Sequence, residues 1–132
     1  MAHQRWAKRK GTIAERDLIS LFWDSDWSAH RIAGSGSSRY PSPDIIAGTP
    51  LRKLAIEVKM TKDTRKYFTA EEIGGLKFFC DIFGSEAWVA VKFGKEPWYF
   101  FSLEDLKETG KNFAVSISDI PTKGFSFDEL IK

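Results

Sequence analysis

A single cysteine, Cys80, leaves this 132-residue chain without an intrachain disulfide and without a thiolate set for zinc. No apolar run approaches the roughly 20 residues that a membrane-spanning helix needs. The basic N-terminus, Met1 to Lys10, has no apolar segment of the kind a secretory signal carries. The expectation is an intracellular, cytoplasmic protein with no membrane partner. Internal repeats and low-complexity segments are absent. Arginine is missing from the whole second half of the chain, since all seven, from Arg5 to Arg65, fall within residues 1–66.

The remaining composition is that of an ordinary globular domain, with 42% hydrophobic and 29% charged residues. A chain of this length fits one domain, 1–132, and buries roughly two-thirds of its unfolded surface. The formal net charge of +2 hides an uneven distribution. Residues 1–66 carry 13 Lys and Arg against 7 Asp and Glu, while residues 67–132 carry 7 against 11. Arginine forks match phosphate oxygens, so a basic first half suits a nucleic-acid partner. Residues 1–10, with Arg5, Lys8, Arg9 and Lys10, read as a basic, flexible arm that contacts DNA or, in the plainer reading, as a solvated tail.

The most informative segment joins Asp44 to Lys59. In Ile56-Glu57-Val58-Lys59-Met60 the apolar residues alternate with Glu57 and Lys59, so a strand here points both charged side chains to one face. With Asp44 at the head of the neighbouring strand, its oxygens and those of Glu57 can converge on one hard cation beside Lys59. That is the layout of a metal-dependent phosphodiesterase. Any half-buried strand with a wet face produces Glu-x-Lys, and such surface pairs contribute under about 1 kcal/mol. The upstream Pro43-Asp44 and the basic surroundings separate the two readings.

Along the chain, Thr12-Ile13-Ala14-Glu15 opens a helix expected to run to about Trp23. Glu15 lies on its apolar stripe with Leu18, Ile19 and Phe22. Two roles are open for it: the capping box with Thr12, or leaning toward Asp44 and Glu57 to help hold a cation. A first strand spans 27–32, and the Gly- and Ser-rich loop 34–43, with Arg39, offers amides and hydroxyls to a phosphate backbone or serves as a connector. Strands 44–47 and 51–60 form an antiparallel hairpin, and 61–66 is a second basic connector holding Lys62, Arg65 and Lys66.

Thr69-Ala70-Glu71-Glu72 caps a helix to about Phe83. Gly74-Gly75 inside it costs about 2 kcal/mol against alanine, which predicts a close backbone approach or a bend. Strands at 87–93 and 97–103 precede a short helix, 103–109, ended by Gly110. A final strand at 112–117 and a helical turn at 125–131 close the chain. The fold class is α/β, a single domain with a mixed central sheet flanked by helices. Phe78, Phe79, Phe83, Trp88, Trp98, Phe100 and Phe101 amount to more aromatic bulk than one small core readily hides. They either fill that core or mark a subunit contact.

Four short motifs occur in order: Lys10-Gly11-Thr12-Ile13-Ala14-Glu15-Arg16, Ser35-Gly36-Ser37, Pro43-Asp44-Ile45-Ile46-Ala47 and Ile56-Glu57-Val58-Lys59. Together they resemble the archaeal Holliday junction resolvases, Hjc, of the restriction-endonuclease-like superfamily. The resemblance implies that fold and a homodimeric, magnesium-dependent endonuclease, with manganese as a substitute ion. It would recognise four-way DNA junctions by shape and nick two opposing strands. It implies a catalytic set of Glu15, Asp44, Glu57 and Lys59, with Asp44 and Glu57 the principal metal ligands and Glu15 a further one. Ser35 joins that set, with Ser37 as the alternative register. Arg5, Lys8, Arg9, Lys10, Arg31 and Arg39 would contact the DNA backbone. A restriction-type endonuclease on duplex DNA would share this core, although 132 residues leave little room for elements that read base edges. A non-catalytic junction binder would have no chemical need for all four catalytic side chains.

Overall fold

The structure, a computed structural model, describes residues 2–34 and 39–132, with side chains from Ile13 onward within that set. In chain order the elements are α1 (Ala2–Asp24), β1 (Ser28–Arg31), β2 (Ile45–Gly48), β3 (Lys53–Thr61), β4 (Arg65–Thr69) and α2 (Ala70–Phe83). They continue with β5 (Glu86–Phe93), β6 (Trp98–Ser102), β7 (Lys107–Thr109), β8 (Asn112–Ser116), α3 (Ile120–Lys123) and α4 (Phe127–Leu130). Five strands form a mixed sheet in the order β1-β2-β3-β5-β6. Its β3–β5 pair is parallel and the others are antiparallel. The expected mixed α/β domain is therefore observed.

Parallel strands need a crossover, and here β4 and α2 supply it, carrying the chain across one face of the sheet. The other face is covered by α1, whose Ala14, Leu18 and Phe22 recur at four-residue spacing. They pack with Ala29, Ile45, Ala47, Leu54, Ile56 and Val58. On the α2 face, Ile73, Leu76 and Cys80 pack with Ala55, Val89, Val91, Phe93 and Phe101. Alternation along β3 thus sends Ile56 and Val58 into one core, and Ala55, with Glu57 and Lys59 beyond it, to the α2 face.

Several boundaries and elements differ from the sequence reading. The first helix begins at Ala2 rather than Thr12, so Thr12 lies within α1 and not at its N-terminus. A run of Gln, Ala, Lys and Arg continues a helix at little energetic penalty, which carries α1 through residues 2–10. The connector 61–66 gives way to β4, which joins β7 and β8 in a second, three-stranded sheet. Residues 103–109 form a 3-10 turn, Leu103–Asp105, followed by β7 rather than a helix. Gly110, with φ 63°, turns the β7–β8 hairpin instead of ending a helix.

The helix at Thr69 forms as expected, with a complete capping box between Thr69 and Glu72 and Gly84 closing it at φ 79°. Of its glycine pair, a Cβ on Gly75 would meet Pro41 Cβ at 3.7 Å, while one on Gly74 would meet nothing within 4 Å. The close approach is thus to a side chain of the loop before Asp44 and not to backbone. Trp88, Trp98, Phe100 and Phe101 are buried core residues. Phe78, Ile82 and Phe83 remain exposed on α2. No helix among the described residues is long and apolar enough to cross a membrane.

Candidate active site

Asp44 stands at the mouth of β2, gripped from both sides by backbone. Its N–H donates to the Ile56 carbonyl at 3.0 Å, and its own carbonyl accepts from the Ile32 N–H at 2.8 Å. Its Oδ2 accepts from the Val58 N–H at 2.8 Å. The paired register ends at Ile45↔Ile56, and Asp44, the next residue, lies beside Glu57, with a hydrogen bond between their carboxyls. Two carboxyls separated in sequence by a turn therefore face each other across adjacent strands.

That arrangement is electrostatically unfavourable without a cation or a proton. Burial first, and then the charge of Asp44, push Glu57 up from 4.5 to about 8, with a hydrogen bond between the two carboxyls contributing. Lys59 opposes this shift, its Nζ lying 3.9 Å from Glu57 Oε1. A hard dication between the two acids would remove the conflict, and an all-oxygen donor pair suits magnesium or manganese. The Glu57 side chain is only 15% exposed, so the charge has little water to relax into.

The sequence marks Glu72 only as a helix cap, and the structure adds it to the site. Its Oε2 lies 2.5 Å from Lys59 Nζ. Burial alone would lower Lys59, but the Glu72 hydrogen bond and charge, joined by Glu57 and Asp44, outweigh it and hold the ammonium above its ordinary range. Conversely, burial would raise Glu72, but Lys59 and the Thr69 amide hold it below the ordinary carboxylate value. The sequence signal was the Thr-x-x-Glu spacing, which announces a cap and says nothing of what the second carboxylate oxygen meets.

Glu15 stands on the α1 side and pairs with Arg31, its Oε2 accepting from Nε at 2.6 Å. The structure does not join it to Asp44 and Glu57: among the described residues no three His, Cys, Asp or Glu side chains gather as a metal-holding group. Arg31, expected on DNA, is the partner that holds Glu15. Ser35 and Ser37, and the side chains of Arg5, Lys8, Arg9 and Lys10, lie outside the described residues. Arg39 is exposed with its guanidinium over the Tyr40 ring at 5.9 Å. Arg65 is exposed on β4, donating to Ser116 Oγ at 3.3 Å and Tyr67 Oη at 3.4 Å. Lys62 is exposed and Lys66 half-buried. Lys62 follows β3 directly in the chain, and Arg65 and Lys66 lie on β4, in the second sheet.

The family model for the archaeal Holliday junction resolvase (Hjc) matches residues 6–132. The crossover junction endodeoxyribonuclease Hjc of Archaeoglobus fulgidus is 46% identical over 114 residues, 86% of this chain and 84% of that protein. The Hjc of Methanocaldococcus jannaschii is 34% identical over 107 residues, 81% of this chain and 76% of the other. The solved structure of Archaeoglobus fulgidus Hjc, a Holliday junction resolvase from an archaeal hyperthermophile, superposes with a TM-score of 0.86 at 42% identity, covering 92% of this chain and all of that one. The chain belongs to the archaeal Holliday junction resolvase family, Hjc.

Proposed function

We propose that this protein is a crossover junction endodeoxyribonuclease. It binds four-way DNA junctions and hydrolyses two opposing strands, acting as a homodimer with magnesium, or manganese in its place. The observation that carries the reading is the Asp44–Glu57 pair, two carboxyls brought together on adjacent strands with the Lys59 ammonium 3.9 Å from Glu57 Oε1. Asp44 and Glu57 are the ligands of the proposed ion, which when bound lowers the pKa of water and relieves charge on the phosphate under attack. Lys59 adds a point charge beside the phosphate, where it orients the attacking water or neutralises developing negative charge. Glu15, which Arg31 holds apart from Asp44 and Glu57 in this structure, is assigned to the catalytic set on the family resemblance of its motif alone. Ser35, in the sequence between β1 and β2, completes it.

Arg31, Arg39, Lys62, Arg65 and Lys66, together with Arg5, Lys8, Arg9 and Lys10, bind the DNA backbone in this reading. The asymmetry of 13 basic against 7 acidic residues in the first half supports that surface. A four-way junction presents two equivalent strands about a dyad, so a two-fold dimer places one site on each. The exposed Phe78, Ile82 and Phe83 on α2 supply an apolar surface for that contact.

The test is incubation of the protein with labelled four-way junction, duplex and single strand, each with magnesium and with chelator. Cation-dependent cleavage of the junction alone is expected. Lys59→Ala and Asp44→Asn should abolish cleavage and leave junction binding nearly intact; cleavage by either at the parent rate rules out the site. Cleavage of plain duplex would favour a restriction-type enzyme, and binding without cleavage a non-catalytic junction protein.

A further inference from the structure

We infer that Glu72 is a positioning residue that holds the Lys59 ammonium beside the Asp44–Glu57 pair. The inference rests on the nuclease reading above and assigns a role to a residue outside the catalytic set. Glu72 occupies the first turn of α2, and its two carboxylate oxygens perform different tasks. Oε1 accepts from the Thr69 N–H at 2.9 Å, closing the capping box that Thr69 Oγ1 completes by accepting from the Glu72 N–H at 3.0 Å. Oε2 accepts from Lys59 Nζ.

A capping box is satisfied by Glu or Gln alike. Only a carboxylate can cap with one oxygen and take a charge-assisted hydrogen bond from an ammonium with the other. The cap alone therefore leaves the choice of Glu unexplained, and the ion pair accounts for it. Lysine carries its charge on a flexible four-carbon stem, so its position is set by what it is bonded to. Glu57 Oε1 at 3.9 Å is too distant for a hydrogen bond, whereas Glu72 is within reach of one. The β4–α2 crossover that makes β3 and β5 parallel also lays the first turn of α2 over Lys59, so the same backbone that sets the topology delivers the anchor.

Glu72→Gln keeps the capping oxygen and replaces the other with an amide that donates toward the ammonium. Thr69→Ala does the reverse, weakening the cap and leaving the carboxylate on Lys59. Single-turnover cleavage of a labelled four-way junction in saturating magnesium, junction Kd in chelator, and Tm are measured for both variants. Glu72→Gln should cleave about 10–100-fold more slowly, the range seen when a supporting hydrogen bond of a reactive group is removed. Its Kd should stay within about twofold of the parent, because the perturbation touches positioning rather than the phosphate contacts that dominate affinity. Thr69→Ala should lose Tm and cleave at the parent rate below its transition.

Parent-rate cleavage by Glu72→Gln, with Lys59→Ala inactive, overturns the positioning role and leaves the nuclease reading standing. Equal rate losses in the two variants at matched loss of Tm assign Glu72 to the cap alone and overturn it likewise. Active Lys59→Ala overturns the nuclease reading itself, and this inference with it.

Discussion

Replacing Glu57 by Gln removes the charge that the site holds at greatest disadvantage. Glu57 is pushed from 4.5 to about 8, so between those values the folded chain binds a proton that the unfolded chain releases. Stability tied to this group is present below about pH 4.5 and declines as pH rises toward 8, the reverse of an ordinary salt-bridged acid. Once ionised in the folded state, the carboxylate opposes folding by on the order of 5 kcal/mol. A Glu57→Gln variant carries no such penalty. In chelator, urea unfolding at pH 5, 7 and 9 should therefore show the variant gaining on the parent chain by on the order of 2–4 kcal/mol across that interval. Magnesium at pH 9 should narrow the gap, because an ion that binds only the folded parent stabilises it by about 2.7 kcal/mol at a hundred times its Kd. A gap that stays constant with pH, or shrinks as pH rises, would refute the claim that Asp44 and Glu57 crowd each other in a site poorly reached by water.

Arg52 forks onto Glu86 at 2.8 and 2.9 Å, donates to the Leu130 carbonyl at 2.8 Å and lies over the Trp27 ring at 5.3 Å. Arg52→Ala should destabilise the fold by about 2 kcal/mol in urea unfolding, and no change would show the fork to be incidental. Gly74 sits exposed in mid-helix with nothing within 4 Å of a built Cβ. Gly74→Ala should therefore raise stability by about 1 kcal/mol, and a lower Tm would contradict the open space. Phe78 and Ile82 lie one turn apart on α2, 57% and 73% exposed. If the proposed dimer forms through this face, changing both to Asp should give a monomer by sedimentation that nicks a supercoiled cruciform plasmid; linearisation within one binding event would reject the proposed coupling of two sites.

Alternation of Ile56, Val58 and Met60 with Glu57 and Lys59 was enough to place the two charged residues on one face, because a strand has no other way to bury its apolar side chains. The Thr69–Glu72 box likewise announced the start of α2, since its hydrogen bonds span only three residues. Where contacts join distant segments, local pattern was silent or misleading. Lys107–Thr109 is a strand because β8 pairs with it, although a capping serine before it and a glycine after it suit a short helix. Glu15 meets Arg31 because α1 lies along β1, a packing fact that the helix's own periodicity does not contain. Asp44 faces Glu57 through a register of inter-strand hydrogen bonds, and Glu72 reaches Lys59 through the crossover that brings α2 back over β3. Local spacing therefore dictated which side chains share a face, and the docking of distant elements dictated which of those faces meet.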